Sequence, residues 1–189
     1  MNNYDILVNK YNKLPANYIP DNLIDIPITN KFMNNEKLVL EVYKNFLLMQ
    51  NVAKMVGINI YITSGYRSYK DQFMLFIHYL VELGVEEATK RVANPGTSEH
   101  QTGLAIDIST IKNYEDVAIT PFESGLIEDI AYKYGFILRY PKGKEDITGY
   151  NYEPWHFRYV GDIAEYMYKN NLTLEEYSIT KDKTLKKQL

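Results

Sequence analysis

Histidine is scarce in this 189-residue chain, and two of its three histidines lie in segments that also carry carboxylates. His100 lies in the segment 98–107, SEHQTGLAID, which ends at Asp107. His156 closes the segment 153–156, EPWH, which begins with Glu153. Two imidazoles and one carboxylate form a three-ligand zinc set with a fourth position open for water, which is typical of catalytic zinc sites. A fold that uses this set must bring the two segments together, and Glu153 remains as a candidate general base.

Each of these residues also has a purely structural interpretation. A histidine in a loop, as at His100, is usually a surface residue, and Asp107 on a strand could simply face solvent. The pair is more informative than either residue alone, because a loop-to-strand transition could bring both to one place. Trp155 is expected to anchor the core, and His78 lies in an apolar helical segment far from both motifs. We therefore leave His78 out of the candidate site.

Composition excludes several classes of protein. The chain has no cysteine, so it forms no disulfide, and any zinc must be held by histidine and carboxylate. The net charge is -3 with both signs interspersed, which argues against a nucleic-acid partner. No segment approaches the ~20 apolar residues of a membrane helix, and the first residues lack the features of a signal peptide. We expect a monomer with no transmembrane segment, and an export signal that is either absent or removed.

Hydrophobic periodicity divides the chain into three parts. Residues 1–35 contain prolines and little periodicity, which predicts an extended arm packed on the domain, and residues 179–189 form a basic tail expected to be solvated. Between them, residues 36–178 are predicted to form the catalytic domain. Helices are predicted over 36–56, from Ser68 to 83, over 85–92, from Thr120 to 134, over 162–169 and over 173–177; strands are predicted over 58–64, 104–108, 136–140 and 155–160, with a polar loop over 141–150. This mixture without regular βαβ alternation favours an α+β fold, with helices packed on one antiparallel sheet.

Three segments in order resemble a known family. They are 64–68, SGYRS, then 98–107, and then 153–156. Together they resemble the zinc D-alanyl-D-alanine carboxypeptidases of the VanY type and the related peptidoglycan L,D-carboxypeptidases. The resemblance covers most of the chain and implies the α+β Hedgehog/DD-peptidase-like fold. It also implies zinc (Zn2+) as the cofactor, with His100, Asp107 and His156 as its ligands.

The same resemblance assigns roles to the remaining candidates. Glu153 would be the catalytic base, and Arg67 would stabilise the tetrahedral intermediate. Gln72 and Ser98 fall at positions that contact the terminal residue of the substrate, and Trp155 is a further candidate substrate contact. The implied partner is a peptidoglycan stem peptide or its precursor.

The residues leave the substrate open. The resemblance favours a D,D-carboxypeptidase, but an L,D-carboxypeptidase acting on tetrapeptide stems, a D-Ala-D-Ala dipeptidase and a peptidoglycan endopeptidase would use the same ligands. The loop 141–150 and the abundant tyrosines are expected to decide among them. A non-catalytic zinc-binding module is the alternative from another class, which the presence of both Glu153 and Arg67 argues against. The substrate favours a place outside the cytoplasmic membrane, with a cytoplasmic dipeptidase as the alternative.

Overall fold

A four-stranded antiparallel sheet forms the centre of the molecule. The computed structural model describes residues 4–27, 36–111 and 119–186, with side chains described up to residue 181. In this part of the chain the strands are β1 (Leu23–Ile26), β2 (Glu36–Val39), β3 (Tyr61–Ser64), β4 (Ala105–Ser109), β5 (Phe136–Leu138) and β6 (His156–Tyr159). The central sheet has the order β3-β4-β6-β5, and β1 and β2 form a separate antiparallel pair.

The two faces of the central sheet differ in character because side chains alternate along a strand. One face is apolar and is formed by side chains that include Ile106, Ile108, Phe157 and Tyr159. His156 and Arg158 alternate with the last two of these residues, and Asp107 alternates with the first two. The central strands β4 and β6 therefore bury one face in the core and present polar groups on the other.

Helices cover the apolar face of the sheet and pack beside its edge strand β5. In the described residues they are α1 (Leu40–Met55), α2 (Tyr69–Arg91), α3 (Pro121–Ala131), α4 (Glu145–Thr148), α5 (Ala164–Lys169) and α6 (Leu174–Lys186). The core residues of α1 recur at the spacing of one helical face, namely Val42, Phe46, Met49 and Ala53, and they pack with α3 against the sheet. A second cluster joins β5 to α5 and α6 through Ile137, Met167 and Leu174. Full burial of each large side chain contributes about 1.5–3 kcal/mol.

Local signals fix the starts of α2 and α3 as predicted. Ser68 Oγ accepts a hydrogen bond from the backbone N–H of Asp71 at 3.2 Å and caps α2. Thr120 and Glu123 form a reciprocal capping box at the start of α3. Gly84 interrupts α2 with φ 75° and ψ 170°, at the place where the sequence predicts the end of one helix. The predicted α+β arrangement of helices on an antiparallel sheet is confirmed.

The helix predicted over 36–56 is wrong in its first turn. Residues 36–39 form β2 and pair with β1, with Leu23 opposite Val39. Leu38 and Val39 are apolar neighbours that suit either a helix or a buried strand, so the pairing partner decides. That partner lies in the stretch predicted as an extended arm.

Two further segments differ from the prediction. The last predicted helix ends at 177 and the predicted basic tail begins at 179, but α6 continues to Lys186. The short helix α4 lies within the predicted loop 141–150. Over the residues that the structure covers, no helix has both the length and the apolar character needed to cross a membrane.

Candidate metal centre and active site

Strand register brings Asp107 and His156 together. Asp107 of β4 lies directly opposite His156, the first residue of β6. The adjacent Ile108 N–H donates to the carbonyl of Trp155 at 3.1 Å, which extends the pairing to the residue before His156. A one-residue slip in the pairing would move every side chain of a strand to the opposite face of the sheet. It would expose the apolar residues that form the core, so burial of these residues fixes the register and keeps Asp107 opposite His156.

A short 3₁₀ turn supplies the second histidine. His100 lies in the turn Glu99–Thr102, which ends at Gly103 in the left-handed conformation with φ 67°. The carbonyl of His100 accepts a hydrogen bond from the Arg67 N–H at 3.1 Å. The ring Nδ1 of His100 lies 2.7 Å from the carbonyl oxygen of Gly65. The segment after β3 therefore fixes both the backbone and the ring of His100, with Nε2 directed away from Gly65.

Three potential ligand atoms converge at this place. Nε2 of His100 lies 3.3 Å from Oδ2 of Asp107, and Nδ1 of His156 lies 3.0 Å from Oδ1 of Asp107. One ligand atom from each residue lies within 4.8 Å of the others. Ligands on a tetrahedral zinc ion are about 3.3 Å apart, given metal–ligand bonds of about 2.0–2.1 Å. The spacing of this buried set therefore suits zinc.

The hydrogen bonding of the set also fits a cation. Oδ1 of Asp107 is buried, and its 3.0 Å contact with Nδ1 of His156 lacks the geometry of a hydrogen bond, so this oxygen has no hydrogen-bond partner in the described part of the chain. The ring of His100 already uses Nδ1 at Gly65, so Nε2 is left to face the carboxylate. A buried polar atom without a partner is costly, and a metal ion among these atoms would satisfy them together.

Charges around the site shift the pKa values of its residues in opposite directions. Burial, with a contribution from Arg67, lowers the pKa of His100, although Asp107 opposes the shift. Burial would also lower the pKa of His156, but the carboxylates of Asp107 and Glu99 outweigh it and raise that pKa to about 9. Burial alone would raise the pKa of Asp107, but the imidazoles of His100 and His156 overcome this effect and hold that pKa well below its usual range.

Glu153 stands beside the cluster without being part of it. Its Oε2 lies 3.7 Å from Nδ1 of His156, and 19% of its side chain is exposed. The backbone of Glu153 is held by a hydrogen bond from its N–H to the Tyr140 carbonyl at 3.1 Å. Burial raises the pKa of Glu153 to about 7, with Asp107 adding to the shift. A carboxylate with these properties can accept and release a proton near neutral pH.

Arg67 and Gln72 form a hydrogen-bonded pair next to His100. The guanidinium of Arg67 donates to Gln72 Oε1 at 3.0 Å and to Ser64 Oγ at 2.9 Å. The Gln72 side chain is buried, and its amide donates to the Ala93 carbonyl at 2.7 Å. Gln72 thus braces Arg67 through an intramolecular contact, and its predicted contact with substrate stays a prediction.

The other two predicted substrate contacts differ in exposure. Ser98 is buried and precedes the 3₁₀ turn, where its carbonyl accepts from the Gln101 N–H at 3.2 Å. Trp155 is half-buried and lies between Glu153 and His156 in sequence. Ser98 lies two residues before His100 and Trp155 directly precedes His156 in sequence, and their roles as substrate contacts remain predictions.

Tyrosines line one side of the candidate centre. The ring centroid of Tyr140 lies 4.9 Å from that of His156, and Tyr150 lies 4.9 Å from Tyr140. Lys10 of the N-terminal arm places its Nζ 4.8 Å from the Tyr150 ring. Tyr150, at the end of the loop 141–150, therefore packs against the tyrosine that contacts His156, and the expected role of this loop in substrate choice stays a prediction.

Sequence reasoning missed a buried ionic network behind the site. Glu99, Arg139 and Arg158 are almost completely buried, and each arginine lies 2.7 Å from Glu99 Oε1. Arg139 also binds Glu175 of α6, with separations of 2.7 and 2.9 Å. One signal was available, because Arg158 lies two residues after His156 on a strand and must share its face.

Comparisons with known proteins agree with this geometry. The family model described as VanY, D-alanyl-D-alanine carboxypeptidase, matches residues 35–162. The protein YodJ of Bacillus subtilis is 43% identical over 178 residues, which is 90% of this chain and 65% of that protein. The chain therefore spans slightly less than two thirds of this relative.

Solved structures show the same fold. The LdcB LD-carboxypeptidase is 42% identical, with a TM-score of 0.80, and the match covers 94% of this chain and 87% of that one. A VanY D,D-pentapeptidase from a VanB-type vancomycin resistance cassette, solved in complex with Zn(II), is 33% identical with a TM-score of 0.78. That match covers 92% of this chain and 98% of the other. The family match spans more than half of the sequence, and so the chain belongs to the VanY family of D-alanyl-D-alanine carboxypeptidases.

Proposed function

We propose that this chain is a zinc-dependent D,D-carboxypeptidase that removes the terminal D-alanine from peptidoglycan stem peptides. The observation that carries the proposal is the convergence of His100, Asp107 and His156 within 4.8 Å of one another. Glu153 beside this set adds the proton-transfer group that a hydrolytic site requires. The family membership of the chain supports the same activity.

The ligand set defines how zinc would be held. His100 would bind through Nε2, because its Nδ1 is engaged by the Gly65 carbonyl. His156 would bind through Nδ1, which faces Asp107, and Asp107 would bind through its carboxylate. When bound, zinc lowers the pKa of a coordinated water toward ~7 and polarises the scissile carbonyl.

Glu153 would carry the proton during hydrolysis. It takes a proton from the attacking water as the water oxygen bonds to the carbonyl carbon of the scissile peptide. It then delivers that proton to the nitrogen of the departing D-alanine as the C–N bond breaks. One carboxylate serves both steps, which requires a group that is partly exposed to the cleft, as Glu153 is.

Arg67 would stabilise the negative charge that develops on the carbonyl oxygen. Its guanidinium is held by Gln72 and Ser64, so the positive charge is fixed before substrate arrives. We propose Gln72, Ser98 and Trp155 as contacts of the terminal residue of the substrate, with Gln72 acting largely through Arg67. Ser98 is buried and lies two residues before His100.

Replacement of Glu153 tests the proposed mechanism. We expect Glu153→Gln to lower turnover by at least about 10²-fold, because the amide cannot accept the proton. Zinc content should stay near one ion per chain, since the three ligands are intact. Glu86→Gln is a matched control, because Glu86 is an exposed residue of α2 whose side chain is 85% exposed. A Glu153→Gln protein with near-normal release of D-alanine would contradict the assignment.

An L,D-carboxypeptidase is the second candidate. The similarity to the LdcB LD-carboxypeptidase, at 42% identity over most of both chains, favours it. Purified zinc-loaded protein should be offered pentapeptide and tetrapeptide stems in parallel, each with a chelator control. Release of D-alanine from the pentapeptide alone supports the D,D activity, and release from the tetrapeptide supports the L,D activity. Release from neither by a zinc-bound protein would contradict both.

We further propose that the enzyme acts outside the cytoplasmic membrane as a monomer. The location follows from the substrate, because stem peptides of the assembled cell wall lie on that side. Protease treatment of intact cells tests the location, and light scattering of the purified protein tests the oligomeric state. Protection of the enzyme in intact cells, or a dimer mass, would contradict the respective part.

A further inference from the structure

The buried network behind the candidate metal centre contains two carboxylates and two guanidinium groups. Glu99 and Glu175 face Arg139, and Glu99 also faces Arg158. All four side chains are at most one tenth exposed, so each charge depends on its partners rather than on water. The network as a whole is electrically balanced.

The two oxygens of Glu99 are used differently. Both arginines donate to Oε1, at 2.7 Å each, from Nε of Arg139 and Nη1 of Arg158. Oε2 is buried and accepts no hydrogen bond from any described residue. It lies 3.5 Å from Nε2 of His156, which is also buried and likewise unpartnered. The arginines therefore fix one oxygen of Glu99 and leave the other directed at the imidazole.

We propose that Glu99 is a positioning residue for His156. Oε2 of Glu99 accepts a hydrogen bond from a protonated Nε2, which keeps the proton off Nδ1 and leaves the lone pair of Nδ1 for the metal. The inference rests on the ligand set of the proposed function. The present separation of 3.5 Å exceeds the usual N–H···O range of about 2.7–3.2 Å, so a shift of a few tenths of an ångström completes the bond.

The arginines have a definite part in this arrangement. A carboxylate buried alone would tend to take up a proton and could then donate to His156 instead of accepting from it. Two guanidinium groups at 2.7 Å keep Glu99 ionised, so it remains an acceptor. Such outer hydrogen bonds fix the tautomer and orientation of metal-binding histidines. His100 has the corresponding partner in the Gly65 carbonyl, at 2.7 Å.

Two isosteric variants separate positioning from stability. Glu99→Gln replaces the acceptor facing His156 with an amide N–H, which favours the tautomer with its proton on Nδ1. Glu175→Gln also removes one carboxylate charge that faces Arg139, but residue 175 does not face His156, so this variant is the matched control. Zinc affinity of each intact chain is measured by competition with a chromophoric chelator, alongside urea unfolding of the zinc-free proteins.

We expect Glu99→Gln to weaken zinc binding by about 10–100-fold, as is typical for loss of an outer hydrogen bond to a ligand, with Glu175→Gln within about threefold of wild type. Equal affinity of Glu99→Gln and wild type overturns the inference, as does an equal loss in both variants. A wild-type chain that binds no zinc overturns the proposed function itself, which distinguishes the two failures.

A second measurement needs no variant and covers the case in which Glu99→Gln does not fold. Nitrogen-15 NMR of histidine-labelled, zinc-loaded wild-type protein reports which ring nitrogen of each histidine carries a proton. We expect His156 to be protonated at Nε2 and metal-bound at Nδ1. A spectrum with the proton of His156 on Nδ1 would overturn the inference while leaving zinc binding intact.

Discussion

The close approach of Gly65 to β2 predicts opposite effects for the same substitution at two glycines. A Cβ atom added at Gly65 would lie 2.6 Å from the Lys37 carbonyl oxygen and 3.3 Å from a methyl carbon of Leu38. Gly125, in the exposed face of α3, has no atom within 4 Å of the corresponding position. Replacement by alanine adds one methyl group at each position. At Gly65 the space for this group is blocked by β2, whereas at Gly125 it is open.

The structure gives the expected magnitudes. At Gly65 the two backbone segments must separate by roughly 0.4 Å or more, and overpacking of this kind costs about 1–3 kcal/mol. The lower entropy of the unfolded alanine chain offsets about 0.4–1 kcal/mol of this cost. We expect Gly65→Ala to lower the free energy of unfolding by about 0.5–2 kcal/mol. Gly125→Ala should raise it by about 0.5–1 kcal/mol, because alanine is the better helix former.

Urea unfolding of the two zinc-free variants measures these changes directly. Zinc affinity provides a second readout, because the Gly65 carbonyl is the partner of His100 Nδ1 and would move with the backbone. We expect Gly65→Ala to weaken zinc binding by about tenfold or more, and Gly125→Ala to leave it unchanged. A Gly65→Ala protein as stable as wild type, or two variants that shift in the same direction, would refute the reasoning.

Three further predictions follow from the site and from α3. Arg67→Ala should lower turnover by about 10²–10³-fold, and an unchanged kcat would exclude the proposed oxyanion role. Zinc at about 100 times its dissociation constant should raise the free energy of unfolding by about 2.7 kcal/mol, whereas a chelator should abolish turnover; calorimetry that detects no zinc-dependent shift would contradict this. Burial, with a smaller contribution from the charge of Asp129, raises the pKa of Glu128. The stability penalty for ionising this carboxyl group is therefore absent at low pH and appears as pH rises through the pKa of Glu128 in the folded protein. Glu128→Gln should therefore stabilise the protein more at pH 7 than at pH 4, and equal gains at both pH values in urea unfolding would argue against it.

The residues of the candidate metal site could be predicted from the sequence because they are chemically rare and lie in compact motifs. Three histidines in the chain leave few combinations, and Asp107 interrupts an apolar run where a charge needs a reason. The order of the three motifs then predicted the family, which the comparisons confirm. The α+β class followed from the mixture of helical and alternating patterns.

Features that depend on distant partners could not be predicted in the same way. Residues 36–39 form a strand because β1 lies beside them, and their own apolar spacing suited a helix equally well. The partners of Glu99 lie 40 and 59 residues away, so no local pattern identifies them. Strand alternation places Arg158 on the face of His156, but only the packed structure shows that the arginine is buried and ion-paired.

The attachment of the N-terminal arm to Arg158 has a consequence for local opening of the protein. Nη2 of Arg158 donates to the carbonyls of Tyr4 and Ile6, at 2.9 and 2.8 Å, and Asn9 donates to Glu175 at 3.2 Å. Detachment of the arm would therefore remove acceptors from the guanidinium that holds Glu99. In amide hydrogen exchange, the arm and the strands carrying the ligands should open as one cooperative unit rather than fray separately.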